Sequence, residues 1–82
     1  MVHVRAHIRI KNADEAATFV SRLNKEFPIG SYYIENFDGS SSINARSILG
    51  VIYAMAEHND EMFFVCRENE EVPFFVDEYR VM

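Results

Sequence analysis

Three histidines, the single cysteine and one of the six serines are the residues of this chain whose types and positions are suited to chemistry. His3 and His7 follow an alternating pattern that places both on one face of a strand, where imidazole nitrogens can bind a metal. No third ligand has a suitable spacing, and His58 has no Asp or Cys at ligand spacing nearby. We therefore expect solvated surface histidines and no metal site.

Catalytic constellations are missing from the sequence. It has no paired carboxylates in a catalytic context, no glycine-rich phosphate loop, no cysteine pair and no Ser-His-Asp set. Cys66 stands in an alternating apolar segment, which favours a buried and unreactive thiol. The sequence predicts a protein that is not an enzyme and needs no cofactor.

Length and charge restrict the class of protein. At 82 residues the chain is predicted to form one domain, residues 1–82. Its hydrophobic content of 49% and charged content of 26% are those of a globular protein. A net charge of -5 argues against nucleic acid or a membrane surface as the main partner. The single cysteine and the lack of a leader-like N-terminal pattern favour a cytoplasmic location.

Alternating apolar residues predict a first strand from Val2 to Ile10. The other face of this strand carries the only basic concentration of an acidic chain. This basic cluster consists of His3, Arg5, His7, Arg9 and Lys11. It is either a docking surface or the solvated side of an open sheet, which needs polar residues whatever the protein does.

The next segments predict a helix and a hairpin. The helix begins at the capping box Asn12-Ala13-Asp14-Glu15 and ends at Pro28. Its apolar stripe consists of Ala16, Phe19, Val20, Leu23 and Phe27. Two strands, Ser31 to Phe37 and Ser40 to Ile43, are joined by the hairpin signal Asp38-Gly39.

A second helix is predicted from Ser47 to Ala56, with Asn44 as its cap. Gly50 inside it costs about 1 kcal/mol relative to Ala, so it indicates close packing or a partner near the backbone. A last strand from Glu61 to Cys66 and a last helix from Asn69 to Tyr79 complete the pattern.

Every predicted helix is apolar on one side and every predicted strand alternates. The economical packing is one sheet with all helices on a single face. The sequence therefore predicts an α+β fold of order βαββαβα: an open-faced β-sandwich with a four-stranded antiparallel sheet and three helices on one face.

The most distinctive segment runs from Ile43 to Val51 and reads Ile-Asn-Ala-Arg-Ser-Ile-Leu-Gly-Val. It resembles the regulatory-serine segment of HPr, the phosphocarrier of the bacterial sugar phosphotransferase system, where a basic residue, Ser, two apolar residues, Gly and Val follow one another. Ala16-Ala17-Thr18-Phe19-Val20 is similar to the first helix of that family, and Glu61 to Cys66 is similar to its fourth strand. The resemblance spans nearly the whole chain and implies the same order of elements.

One departure from the family lies just before the first helix. HPr has Gly-x-His-x-Arg-Pro there, whereas this chain passes from Ile10-Lys11-Asn12-Ala13 directly to Asp14 and Glu15. No histidine lies in this shorter loop, and two carboxylates there would repel a phosphoryl group. The resemblance therefore implies an HPr-like protein without phosphohistidine transfer.

By the same resemblance, Ser47 is a candidate for regulatory phosphorylation at a helix N-terminus, where phosphate is favoured; its other role is to cap the helix. The resemblance also implies a protein-docking face formed by Arg46, Ile48, Leu49 and Ile52. An unrelated fold would place the three apolar residues of this set in its core. The implied partners are proteins, among them an HPr kinase or components of the phosphotransferase system. A regulatory or interaction module is expected, similar to the catabolite-repression paralogue of HPr that keeps the serine and lacks the histidine.

Two alternatives stay open at this point. A phosphocarrier that uses a displaced histidine, such as His7, would keep the transfer chemistry with a rearranged site. A binding module that shares only the fold would have no link to sugar transport and would associate through the face of Ile48 and Leu49. The chain is expected to be a monomer or a weak homodimer.

Overall fold

The computed structural model describes residues 3–58, 61–67 and 70–81 of the chain. Its strands are β1 (His3–Ile8), β2 (Tyr32–Glu35), β3 (Ser42–Asn44) and β4 (Met62–Arg67). Its helices are α1 (Ala13–Glu26), α2 (Ile48–His58) and a final 3-10 helix (Phe74–Tyr79). The fold is α+β with an open four-stranded antiparallel sheet, which confirms that part of the prediction.

The sheet has the order β1-β4-β2-β3, and all neighbouring strands are antiparallel. In one row across it, Ala6 pairs with Phe64, which pairs on its other side with Ile34. These three side chains are buried, because alternation along each strand turns the same positions toward the core. Gly39 adopts a positive φ of 76° in the β2–β3 turn, as the hairpin signal predicts.

β1 is shorter than predicted. It ends at Ile8, and the predicted start, Val2, lies outside the described residues. Beyond the strand, the N–H of Arg9 donates to the carbonyl oxygen of Tyr79 at 2.8 Å, and Ile8 forms an isolated bridge with Arg80. The end of the described chain therefore covers this edge of β1, which leaves fewer unpaired backbone groups there.

The N-terminus of α1 is the predicted capping box. Asn12 Oδ1 accepts the N–H of Glu15 at 2.9 Å, and Glu15 Oε1 accepts the N–H of Lys11 at 2.9 Å. The whole predicted stripe of α1 is buried. Its Phe19 ring contacts Phe64 of β4 edge-on, with 5.7 Å between the ring centroids, so α1 packs directly on the central strand.

The predicted last helix from Asn69 to Tyr79 is wrong in type and extent. The described chain forms only the six-residue 3-10 helix, and Asn69 lies outside the described residues. Pro73 precedes it in an extended conformation, with φ -58° and ψ 129°, which is incompatible with an α-helix running through that residue. Burial of Phe75 and Val76 shapes this segment instead, and such tertiary contacts override helix periodicity.

Candidate functional site

Ser47 caps α2. Its Oγ accepts the N–H of Gly50 at 3.1 Å, and its carbonyl oxygen accepts the N–H of Val51 at 2.9 Å. Asn44, the predicted cap, instead accepts the N–H of Arg46 through Oδ1 at 2.9 Å, within the turn that leads to the helix. The half-buried Ser47 therefore satisfies one of the free amides at the start of α2, that of Gly50, and Asn44 shapes the turn before the helix.

Gly50 allows α2 to approach β3 closely. A Cβ at this position would lie 2.7 Å from Cγ2 of Ile43 and 3.3 Å from the carbonyl oxygen of Asn44. No side chain fits there without a shift of the helix or the strand. The sequence left two explanations open for this glycine, close packing or a partner near the backbone, and the structure shows the close packing.

The outer side of α2 is an exposed apolar surface, which we call the α2 face. The exposed fractions of its side chains are 77% for Leu49, 55% for Tyr53, 37% for Ile52 and 36% for Ile48. Val51 and Ala54, on the other side of the helix, are completely buried. The apolar pattern of α2 therefore has two functions, since one stripe packs into the core and another points to solvent.

Tyr53 belongs to the α2 face but was not among the predicted docking residues. It follows Leu49 by four positions, and residues at that spacing are neighbours on a helix surface. This spacing is the signal that would have found it.

Arg46, predicted as a docking residue, has its guanidinium at the C-terminus of α1. Its Nη2 donates to the carbonyl oxygens of Phe27 at 2.6 Å and Gly30 at 2.9 Å, and Nη1 donates to Asn24 Oδ1 at 3.1 Å. The last carbonyls of a helix lack partners within it, and a guanidinium there is favoured by the helix dipole. Arg46 therefore links the end of α1 to the start of α2.

The first turn of α1 carries two carboxylates, Asp14 and Glu15, and the loop before it, residues 9–12, has no histidine. A cleft of about 390 Å³ beside it is lined by residues that include Arg9, Lys11, Glu15 and Arg80. The Glu15 carboxylate accepts the N–H of Lys11, just before the helix, and Asp14 is exposed next to it. A phosphoryl group at the amides of α1 would meet these two carboxylates, whereas the cleft beside them is lined by three cations.

His7 and His58 have different contacts. The half-buried His7 ring stacks on Phe63, with 4.7 Å between the centroids. His58 Nε2 lies 3.3 Å from the hydroxyl of Ser41, at the end of α2. His3 lies in β1, but its side chain is outside the described part of the structure.

The basic cluster of β1 is partly engaged within the protein. Arg5 Nη2 donates to the carbonyl oxygens of Asn36 and Phe37, both at 2.7 Å, and the guanidinium lies 4.0 Å from the centroid of Phe63. This arginine reaches across β4 and holds the β2–β3 turn onto the open side of the sheet. These contacts within the chain explain the position of the Arg5 side chain, and no bound partner is needed to explain it.

Cys66 is buried in β4, and burial raises the pKa of its thiol. Among the residues that the structure describes, no group of three or more His, Cys, Asp and Glu side chains is placed to hold a metal ion. Within the same residues, no helix is long and apolar enough to cross a membrane.

Comparison with protein-family models, with curated proteins and with solved structures finds no match for this chain. The resemblance to HPr therefore stays a prediction that depends on the segment from Ile43 to Val51 and on the order of the elements.

Proposed function

We propose that this chain is an HPr-like protein-interaction module that binds a partner through the α2 face and neither transfers a phosphohistidine nor catalyses a reaction. The observation that carries the proposal is the exposure of Leu49, Ile52 and Tyr53 directly beside Ser47. Burying one such side chain in an interface stabilises a complex by roughly 1.5–3 kcal/mol. A few of them at the centre of an interface are enough to act as its anchors.

The order of the elements supports the HPr-like part of the proposal. Strand, helix, strand, strand, helix and strand follow one another as in that family, and a 3-10 helix stands where the family's third helix is expected. Buried residues of all three helical segments and of the sheet belong to one core, in agreement with helices on a single face. The short 3-10 helix is a departure within the proposed family.

The N-terminus of α1 supports the absence of phosphohistidine transfer. The carboxylates of Asp14 and Glu15 lie in the first turn, beside the amides that would stabilise a phosphoryl group, and no histidine is among the described residues that line the adjacent cleft. His7 stacks on Phe63 on the open side of the sheet, so a displaced acceptor there would lack those amides.

Ser47 would regulate docking if it were phosphorylated. Its Oγ already lies at the N-terminus of α2, where a phosphate can accept several backbone N–H groups. The added negative charge would border Ile48 and Leu49. A partner that buries these apolar side chains would lose affinity unless it supplied a cation.

The regulatory part is tested by incubating the chain with ATP and an HPr kinase from a Gram-positive bacterium that phosphorylates its own HPr in the same assay. We expect acid-stable phosphate on Ser47, located by peptide mass spectrometry and absent from Ser47→Ala. An unmodified Ser47 beside a fully modified HPr control would contradict the regulatory role. Acid-labile phosphate on a histidine after incubation with enzyme I and phosphoenolpyruvate would contradict the absence of transfer.

The exposure of Leu49 also favours a second candidate, a homodimer formed through two α2 faces. Light scattering at increasing concentration separates the two. A monomer at every concentration would exclude the dimer over the range tested. A dimer that dissociates in Leu49→Asp but not in Glu57→Gln would show that the partner of the α2 face is a second copy of this chain. Glu57 is the matched control because it is an exposed residue of the same helix.

A further inference from the structure

A cleft of about 330 Å³ lies at the opposite end of α1 from its capping box. The end of α1, the loop to β2 and the chain after β4 form its walls. The lining side chains that matter for recognition are three glutamates, Glu26, Glu70 and Glu71, and three apolar or aromatic residues, Phe27, Ile29 and Tyr32.

The cleft is negative. Among the described residues, none that line it is Lys or Arg, and the guanidinium of Arg46 contacts its wall through the carbonyl oxygens of Phe27 and Gly30. The Glu70 carboxylate is held in place by two backbone donors, the N–H of Ser31 at 2.6 Å and the N–H of Arg67 at 3.2 Å. Glu26 Oε2 forms an ion pair with Nε of Arg22 at 3.9 Å. Glu70 and Glu71 are therefore the less neutralised carboxylates of the cleft. A cation entering the cleft meets negative charge from both walls.

The cleft is also apolar. Ile29 has 87% of its side chain exposed, and Phe74, whose ring lies 5.7 Å from that of the lining Phe27, has 61% exposed. Tyr32 is buried, its ring centroid lies 5.2 Å from the Arg46 guanidinium, and its hydroxyl donates to the carbonyl oxygen of Glu71 at 2.8 Å, so it forms part of the floor of the cleft. The carboxylates favour a cation, and the exposed Ile29 and Phe74 favour a ligand with apolar groups beside the charge.

We propose that this cleft binds a basic peptide segment of a protein partner, in which a Lys or Arg side chain enters between the glutamates and an adjacent apolar residue covers Ile29 and Phe74. Charge complementarity selects the cation, and the exposed apolar rim selects a peptide over a small polyamine. This contact is independent of the α2 face. A partner that used both surfaces would gain affinity from each.

The test is a titration of the ¹⁵N-labelled chain, followed by amide chemical shifts, with two synthetic peptides of equal length and equal arginine content. One peptide carries leucines between the arginines and the other carries glycines. We expect the leucine peptide to shift the amides of Ile29, Gly30 and Glu71 and to bind about tenfold more tightly than the glycine peptide. Spermidine, a third probe, should bind as weakly as the glycine peptide.

Variants locate the site. Glu26→Gln with Glu71→Gln should weaken binding of the leucine peptide by about tenfold. Glu57→Gln with Glu61→Gln, which changes the net charge equally but touches a different cleft, should leave it unchanged. Leu49→Asp should also bind normally, so failure of this proposal is distinguishable from failure of docking through α2.

Four results would overturn the proposal. They are an absence of shifts at millimolar peptide, shifts spread evenly over the acidic surface, equal losses in the two glutamine pairs, and equal binding of spermidine and the leucine peptide. Loss of binding in Leu49→Asp would place the peptide on the α2 face and would overturn it as well.

Discussion

The guanidinium of Arg46 donates to the carbonyl oxygen of Phe27 at 2.6 Å and thereby connects the beginning of α2 to the end of α1. The two residues are 19 positions apart in the chain. An arginine that lies next to the proposed regulatory serine is therefore a structural residue at the end of another helix. Arg46 therefore helps to position the α2 face, whereas the exposed apolar side chains of α2 form it.

Replacing Arg46 by Ala should destabilise the protein by about 1.5–3 kcal/mol, the usual range for hydrogen bonds to a charged group. The free energy of unfolding is measured by urea denaturation. Lys25→Ala is the matched control, because it removes a cation from the last turn of α1 and is expected to cost at most a few tenths of a kcal/mol. Equal losses in both variants would mean that only the charge near the helix end matters.

Gly50→Ala should be destabilising, although Ala is the better helix former by about 1 kcal/mol. The new methyl group would lie 2.7 Å from Cγ2 of Ile43, and overpacking of this kind costs roughly 1–3 kcal/mol, so the net loss is up to about 2 kcal/mol once the gain in propensity is subtracted. A double-mutant cycle with Ile43→Ala, which removes the clashing methyl group, should show a favourable coupling between the two changes. Simple additivity would show that α2 does not approach β3 this closely.

Ser47→Ala should lower the free energy of unfolding by about 1 kcal/mol, because the N–H of Gly50 loses its side-chain acceptor. Ser47→Asn should retain most of the stability, since its side-chain oxygen can cap α2 in the same way. Neither variant can be phosphorylated at this position by a serine kinase. Comparing them in any docking assay therefore separates the capping role of Ser47 from a regulatory one.

The ion pair between Arg22 and Glu78 predicts a specific dependence on pH. Arg22 donates to both oxygens of the Glu78 carboxylate, at 3.0 and 3.3 Å, and this contact lowers the pKa of Glu78 below its ordinary value. Its stabilising effect is therefore complete above the pKa of the unfolded chain and is lost as the pH falls through the lowered value. Glu78→Gln should lower the melting temperature at pH 7, and this difference should shrink as the pH falls below the ordinary pKa of Glu, about 4.3, and vanish only below the lowered pKa of Glu78.

Glu57→Gln is the control for that pH series, because it removes an exposed carboxylate of α2. Its melting temperature should follow that of the parent chain at every pH. A difference for Glu78→Gln that persists unchanged at low pH would assign the effect to packing and not to the ion pair.

Local periodicity predicted most of the elements. The alternation in β1 and the three- and four-residue spacing of α1 each mark an apolar side that the fold buries, as at Ala6, Ile8, Phe19 and Leu23. The hairpin turn at Gly39 and the capping box at Asn12 were also predicted, because a turn type and a helix cap depend on neighbouring residues only. The last helix was wrong, because the packing of Phe75 and Val76 produced a 3-10 helix whose residues also fit a helical pattern.

The candidate site was less predictable for the same physical reason. A sequence pattern identifies Ile48, Leu49 and Ile52 as apolar, but whether another element covers them depends on segments that are distant in the chain. The close approach at Gly50 directs Val51 toward the core and leaves Leu49 outside. The position of Arg46 at the end of α1 could not be read from its neighbours, since its acceptors lie in the last turn of that helix and in the chain just after it, 16 to 22 residues earlier.

The sequence by itself therefore determined the α+β class, the strand and helix sides that face the core, and the two carboxylates in the first turn of α1. Only the tertiary structure decided which apolar residues stay exposed, that Arg46 caps another helix, and that Glu70 and Ile29 line one cleft. The former depend on interactions within a few residues, whereas the latter depend on how elements pack after the chain has closed its long-range contacts.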